Sequence, residues 1–161
     1  MDLLCINDYI CKELSSQEQK TALAFVSFLE DINLTFYKDN CGCWKDKIYY
    51  WVKYNDECVC FISIKDPDEP ENHWTVWSDN IGSEWLEKSA ADNKLAELAW
   101  KHVDLCGHCG SCGGGRSKTI FGREFSDVCS CTFRIDNPNS EDLFFLKKMV
   151  EIRVKEIIGF I

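Results

Sequence analysis

The chain predicts a single α+β domain, and three observations predict it. Amphipathic stretches with helical spacing stand toward both ends, and a run of alternating residues fills the centre. No repeat, low-complexity tract or linker divides the 161 residues, of which 45% are hydrophobic, enough for one sizeable core.

Ser15 and Ser16 stand before Glu18 and Gln19, the spacing of a capping box. Ala22, Phe25, Val26, Leu29 and Ile32 then share one face, which predicts a first helix ending near Asn33. The residues before it, 1–14, are too short and mixed a stretch to assign. Residues 47–54 alternate, Asn55-Asp56 supplies a turn, and 57–65 alternate again, which predicts a β-hairpin. Ile48, Tyr50, Val52 and Tyr54 fall on one face with Cys58, Cys60, Ile62 and Ile64. Tyr49, Trp51, Val59 and Phe61 fall on the other. Both faces are apolar, so each needs a cover, or one lines a cleft. The segment 3–10 is one such cover.

The acidic run 66–71, with Pro67 and Pro70, breaks the pattern, and 73–78 reads as a third strand. Residues 86–103 read as a helix with Ala91, Leu95, Leu98, Ala99 and His102 in its stripe, although 100–105 also alternate. Residues 117–125 carry no clear pattern. Residues 129–135 read as a strand, and Pro138-Asn139-Ser140 stops it and opens a last helix. Leu143, Leu146, Val150, Val154 and Ile157 are the buried stripe of that helix, and Glu141 and Asp142 suit its first turn.

Net charge is −9 with a pI near 4.8. A surface that acidic repels phosphate backbones and anionic bilayers, so neither nucleic acid nor a membrane is an expected partner. Eleven cysteines raise the question of disulfides. The opening Met1-Asp2-Leu3-Leu4-Cys5-Ile6-Asn7-Asp8 lacks a basic and then apolar leader pattern, and the odd count cannot pair off completely. The expected compartment is the reducing cytoplasm, with buried thiols and a metal cluster.

The cluster is sought in Cys106-Gly107-His108-Cys109-Gly110-Ser111-Cys112-Gly113-Gly114-Gly115. Three cysteines at three-residue intervals, padded with glycine, suit a tight loop that aims thiolates at one point. Residues 106–110 have the form of a zinc knuckle. Cys106, Cys109 and Cys112 are the expected ligands and Cys129 the fourth, with Cys131, His102 or His108 as substitutes. Four sulfurs suit structural Zn²⁺. An iron–sulfur cluster is the alternative, although its common run continues with a Cys-Pro that 113–116 do not supply. The stapled loop, 106–131, reads as an insertion within a single domain spanning 1–161.

Elsewhere the plain readings lead. His102 is expected to be a satisfied core residue and Cys58 and Cys60 small buried hydrophobes. Cys41-Gly42-Cys43 reads as a turn, and Arg116-Ser117-Lys118 as a solvated basic patch beside the metal. No nucleophile elbow or His-Glu-x-x-His occurs. An enzyme site would draw on scattered groups such as Tyr50, Glu57, His73 and Glu124.

Trp100-Lys101-His102-Val103, the cysteine–glycine loop, Lys118-Thr119-Ile120-Phe121-Gly122-Arg123-Glu124-Phe125, Val128-Cys129 and Asn137-Pro138 together resemble a group of short uncharacterised bacterial proteins. The strand-rich centre and the helix from Leu143 are similar to small α+β domains of unknown function, loosely YdhG-type and GyrI-like. The resemblance implies a curved antiparallel sheet packed on helices, in a cytosolic protein. It also implies Cys129 rather than Cys131 opposite the loop, and a small molecule held in an aromatic cleft. The expected function is therefore a zinc-binding, ligand-binding or regulatory module. Its binding surface would be Tyr49, Trp51, Phe61 and Trp74, for a small apolar or aromatic ligand. A thiol redox or iron–sulfur sensor and an enzyme with an open zinc position are the alternatives.

Overall fold

An antiparallel sheet runs the length of the molecule, with the helices packed against one face. The computed structural model describes residues 4–39, 46–80, 84–88, 91–110 and 112–159, the side chains at 85 and 88 excepted. The elements in chain order are α1 (Ile6–Glu13), α2 (Ser16–Asp31), β1 (Thr35–Lys38), β2 (Ile48–Tyr54), β3 (Glu57–Lys65), β4 (Thr75–Ser78), α3 (Glu84–Lys88), α4 (Asn93–Lys101), β5 (Val103–Leu105), β6 (Arg116–Ile120), β7 (Arg123–Asp136) and α5 (Asp142–Ile158). The strand order is β1-β2-β3-β4-β7-β5, with β6 also paired to β7.

The capping box at the head of α2 forms: Glu18 N–H donates to the Ser15 hydroxyl while the Glu18 carboxylate accepts from Ser15 N–H at 2.9 Å. Asn33 follows the helix at φ 63°, the left-handed stop that Asn tolerates. Asn55 and Asp56 both take positive φ, the paired geometry whose twist suits a two-residue hairpin. Three smaller elements go beyond or depart from the sequence expectation. The unassigned start forms α1, whose Cys5 N–H is held by the Asp8 carboxylate at 2.9 Å. The expected helix 86–103 is broken, because Asp92 caps a fresh start at Leu95 N–H and 103–105 join the sheet. The strand expected at 129–135 is the last half of the 14-residue β7.

One core joins the helices to the sheet. Phe25, Val26 and Leu29 of α2 and Phe145, Leu146 and Met149 of α5 pack with Val52, Ile62, Val76, Phe133 and Ile135. Phe133 and Phe145 meet edge to face at 5.2 Å between ring centroids. Ile6, Tyr9 and Ile10 of α1 join the same core, so this segment covers the helix side of the sheet and not the opposite face.

β7 organises the rest. Its C-terminal end pairs with β4 through Trp77↔Arg134 and Thr75↔Asp136, while its N-terminal end pairs with β6 from Ile120↔Arg123 to Arg116↔Val128. Between these pairings, no strand of the described residues pairs with 129–132 on that edge, although Asn80 N–H reaches the Cys131 carbonyl at 3.5 Å. Side chains fill the gap: Ser78 Oγ donates to the Cys131 carbonyl and accepts from Phe133 N–H at 3.2 Å. Thr132, fully buried, stands at φ 78° inside this seam. Left-handed backbone in a β-branched residue is strained, so the surrounding bonds must hold it there.

Candidate functional site

The end of β5 delivers Cys106, whose N–H donates to the Asp127 carbonyl at 2.7 Å. His108 N–H then turns back to the Cys106 sulfur at 3.4 Å, with His108 at φ 55° and Gly110 at φ 79°. A backbone N–H thus turns back onto the Cys106 sulfur within the loop. Gly115 closes the loop, and a side chain there would meet the Asp127 carbonyl carbon at 2.7 Å, so only glycine fits. Cys109 and Cys112 are exposed. A backbone contact at Gly114, with further help from Ser130, lowers the Cys112 thiol below its usual range.

Cys129 lies half-buried on β7, and burial raises its thiol. The charges of Asp104, Cys112 and Cys109 add to that rise. Among the described residues, no three His, Cys, Asp or Glu side chains are close enough together to hold a metal ion. The sulfurs of Cys106, Cys109, Cys112 and Cys129 are thus not drawn into one shell. His102 sits apart, bonded to Asp142 at 3.0 Å and packed on Phe145, which makes it a satisfied core residue.

Arg116-Ser117-Lys118 is not a solvated patch throughout. Arg116 and Ser117 are exposed, but Lys118 points inward along the seam of β7. Its ammonium donates to the Thr132 hydroxyl at 2.6 Å and to the Cys129 and Ser130 carbonyls at 3.3 Å each. Buried carbonyls without a strand partner need donors, and Lys118 supplies one to the Cys129 and Ser130 carbonyls.

The face of the sheet opposite the helices is aromatic. Trp51 and Phe61, cross-strand partners, meet edge to face at 4.9 Å, and Tyr49 stacks on Phe61 at 5.9 Å. Trp77, partner of Phe61 on β4, closes the group at 5.9 Å from Tyr49, with the Arg134 guanidinium over its ring at 5.2 Å. Trp51 is 38% exposed. Two assignments need correction here. Trp74 is not part of this face: it is 1% exposed, in the core just before β4, and Trp77 takes its place. Val59 also lies in the core, because a register shift between Val52 and Lys53 turns the start of β3 over.

That shift separates the two strand cysteines. Cys60 is buried in the core as expected, whereas Cys58 is only half-buried, beside Asp79, with Cys131 nearby. Burial pushes the Cys58 thiol well up, and the Cys131 thiol up to about 12. Burial also raises the hydroxyl of Tyr49, whose electrostatic neighbours are Cys131 and Cys58. Asn80 is fully buried, and among the described residues its amide has no hydrogen-bond partner on either atom. Cys41 and Cys43 lie outside the described residues.

The scattered polar groups do not converge. Glu57 pairs with Arg153, His73 with Glu18 at 2.6 Å, Tyr50 lies in the core and Glu124 at the β6–β7 hairpin. An open groove of about 680 Å³ lies beside the heads of α2 and α5, away from the aromatic rings. No helix of the described residues is long and apolar enough to cross a membrane. No protein-family model, curated protein or solved structure matches the chain.

Proposed function

We propose that the protein is a small-molecule-binding module stapled by a structural zinc. The observation that carries the binding reading is the ring group Tyr49, Trp51, Phe61 and Trp77, which sits on the sheet face that α1, α2 and α5 leave uncovered. Flat rings of this kind suit a flat apolar or aromatic ligand, and the buried thiols at one end add polarisable surface without charge. The zinc reading is supported by the turn at Cys106–His108, where a backbone N–H meets the sulfur, and by the three-residue spacing of Cys106, Cys109 and Cys112. Zinc in four sulfurs supplies a cross-link and no open position for substrate, so it holds the loop and does no chemistry.

Titration with the neutral probe N-phenyl-1-naphthylamine, read by quenching of tryptophan emission, tests the binding face. Saturable binding that Trp51→Ala removes supports it, and the absence of saturable binding rejects it. Elemental analysis of anaerobically purified protein tests the staple, with about one zinc per chain expected. A thiol-sensor reading draws on one feature, the exposed Cys112 with its lowered thiol range. Brown colour with iron, or a ready disulfide in place of metal, would move the assignment there.

A further inference from the structure

The open groove beside α2 and α5 has fixed walls. On one side stand Gln17, Lys20, Thr21 and Ala24, which recur at helical spacing and so share one face of α2. On the other stand the turn 137–140 and Leu143 at the head of α5. Both walls are tied to the segment before β4. Glu18 of α2 meets His73 at 2.6 Å, while the Asn137 side chain accepts from His73 N–H at 2.7 Å and from Trp74 N–H at 3.4 Å. Asn137 N–H completes the grip by donating to the Trp74 carbonyl at 2.7 Å. Polar bonds to a common anchor thus set the width of the groove, which is the preorganisation that a binding site needs.

One polar group in the wall has no task in the fold. Thr21 is only 7% exposed, and among the described residues its hydroxyl has no hydrogen-bond partner. The oxygen is not sealed in the core either, so the little surface it keeps opens on the groove that the residue lines. Buried hydroxyls are ordinarily paired within a protein, and this one is left for what enters. Lys20, next to it in the wall, has no carboxylate partner among the described residues. The lining carboxylate, Glu18, is already engaged: one oxygen accepts from Ser15 N–H at 2.9 Å and from the Ser15 hydroxyl at 2.8 Å, and the other meets His73. Hydrogen-bond donors and a positive charge therefore remain. α2 and α5, of 16 and 17 residues, both begin at this groove and add positive potential to it.

We infer that this groove is a second binding site, for a compact polar molecule that carries an oxyanion, either a carboxylate or a phosphate. Lys20 supplies the balancing charge, the Thr21 hydroxyl donates a hydrogen bond, and Ala24 with Leu143 gives the uncharged remainder an apolar floor. A volume of about 680 Å³ exceeds what a bare ion fills, so the oxyanion is one group of a larger molecule. The site lies on the helix side of the sheet and is independent of both the zinc and the aromatic-face readings.

The test is an amide-resolved NMR titration of the full chain with inorganic phosphate and, separately, with malonate, each against sodium chloride at matched ionic strength. Saturable shifts are expected at residues 17–24 and 139–143. Binding should weaken about tenfold in Lys20→Met and about fivefold in Thr21→Val, as the loss of a charge-assisted and of a neutral hydrogen bond implies. Lys12→Met, which removes an exposed lysine of α1 outside the groove, should stay within about twofold, since exposed charges are screened. A response to phosphate alone, or to malonate alone, upholds the site and identifies which oxyanion it takes. Thr21→Val should melt no lower than wild type, because its hydroxyl holds nothing in the empty groove. A clear fall in melting temperature would make that hydroxyl a structural group and overturn the inference. So would the absence of saturable shifts with either probe, or shifts that Lys20→Met and Thr21→Val both leave unchanged, which mark an adventitious ion only.

Discussion

The two ends of β7 are held by different means. At its C-terminal end Phe133 and Ile135 face α5, and pairing with β4 is backed by a continuous apolar core. At its N-terminal end Glu124, Ser126 and Asp127 are exposed, and the strand is held by β6, β5 and a loop with almost no apolar mass. One strand thus spans a region that burial stabilises and a region that needs polar clasps, tight glycine contacts and, on our reading, a metal. A shared strand does not mean a shared source of stability.

The comparison can be broken first at the core end. Phe145→Ala should cost about 3–5 kcal/mol in chemical denaturation, because the side chain is fully buried against Phe133 and His102. A cost below about 1 kcal/mol would show that this end is not core-driven. Gly115→Ala should cost about 1–3 kcal/mol through its clash with the Asp127 backbone. Hydrogen exchange should quicken across 106–128 and stay unchanged in β2 and β3, and a uniform change would erase the distinction between the two ends.

Asp79, at the junction of the aromatic face and the seam, sharpens the comparison by pH. Burial raises its carboxyl above the usual range, against the opposing pull of Arg153. The folded state therefore binds the proton more tightly than the unfolded chain, and the ionised carboxylate costs stability above that raised value. Asp79→Asn should be more stable than wild type at neutral pH, and the gain should vanish below the ordinary carboxylate range. Equal stability of the two chains at neutral pH would contradict the burial argument. The smallest perturbation is a thiol label. At neutral pH, iodoacetamide should reach Cys112 first and Cys58, Cys60 and Cys131 last, because burial keeps the latter protonated. Mass-spectrometric mapping that finds Cys131 among the first sites would reject that order.

The sequence made regular elements legible and interruptions illegible. Ser15 with Glu18 announced α2, and the alternation on either side of Asn55-Asp56 announced the hairpin, because each depends on neighbours a few residues apart. Alternation assigns faces only while the register is unbroken. The shift at Val52 and Lys53 moved Val59 into the core, and no residue at that point signals a bulge. Trp74 and Trp77 lie on either side of the point where β4 begins, so choosing between them needed the pairing Phe61↔Trp77. The turn at Cys106–His108 was legible because glycine spacing encodes local turns. Lys118 was not, since its role follows from a gap in pairing between strands distant in sequence.

The pairing of β4 with β7 also bears on how the chain is made. Thr75 and its partner Asp136 are 61 residues apart. During synthesis, β1 to β4 emerge well before the strand that covers the far edge of β4. That edge carries Val76 and Trp77 with unsatisfied backbone groups until residue 136 has left the ribosome. A nascent chain paused between residues 80 and 120 is thus a template for pairing with its neighbours on a polysome, and a natural client for a holding chaperone.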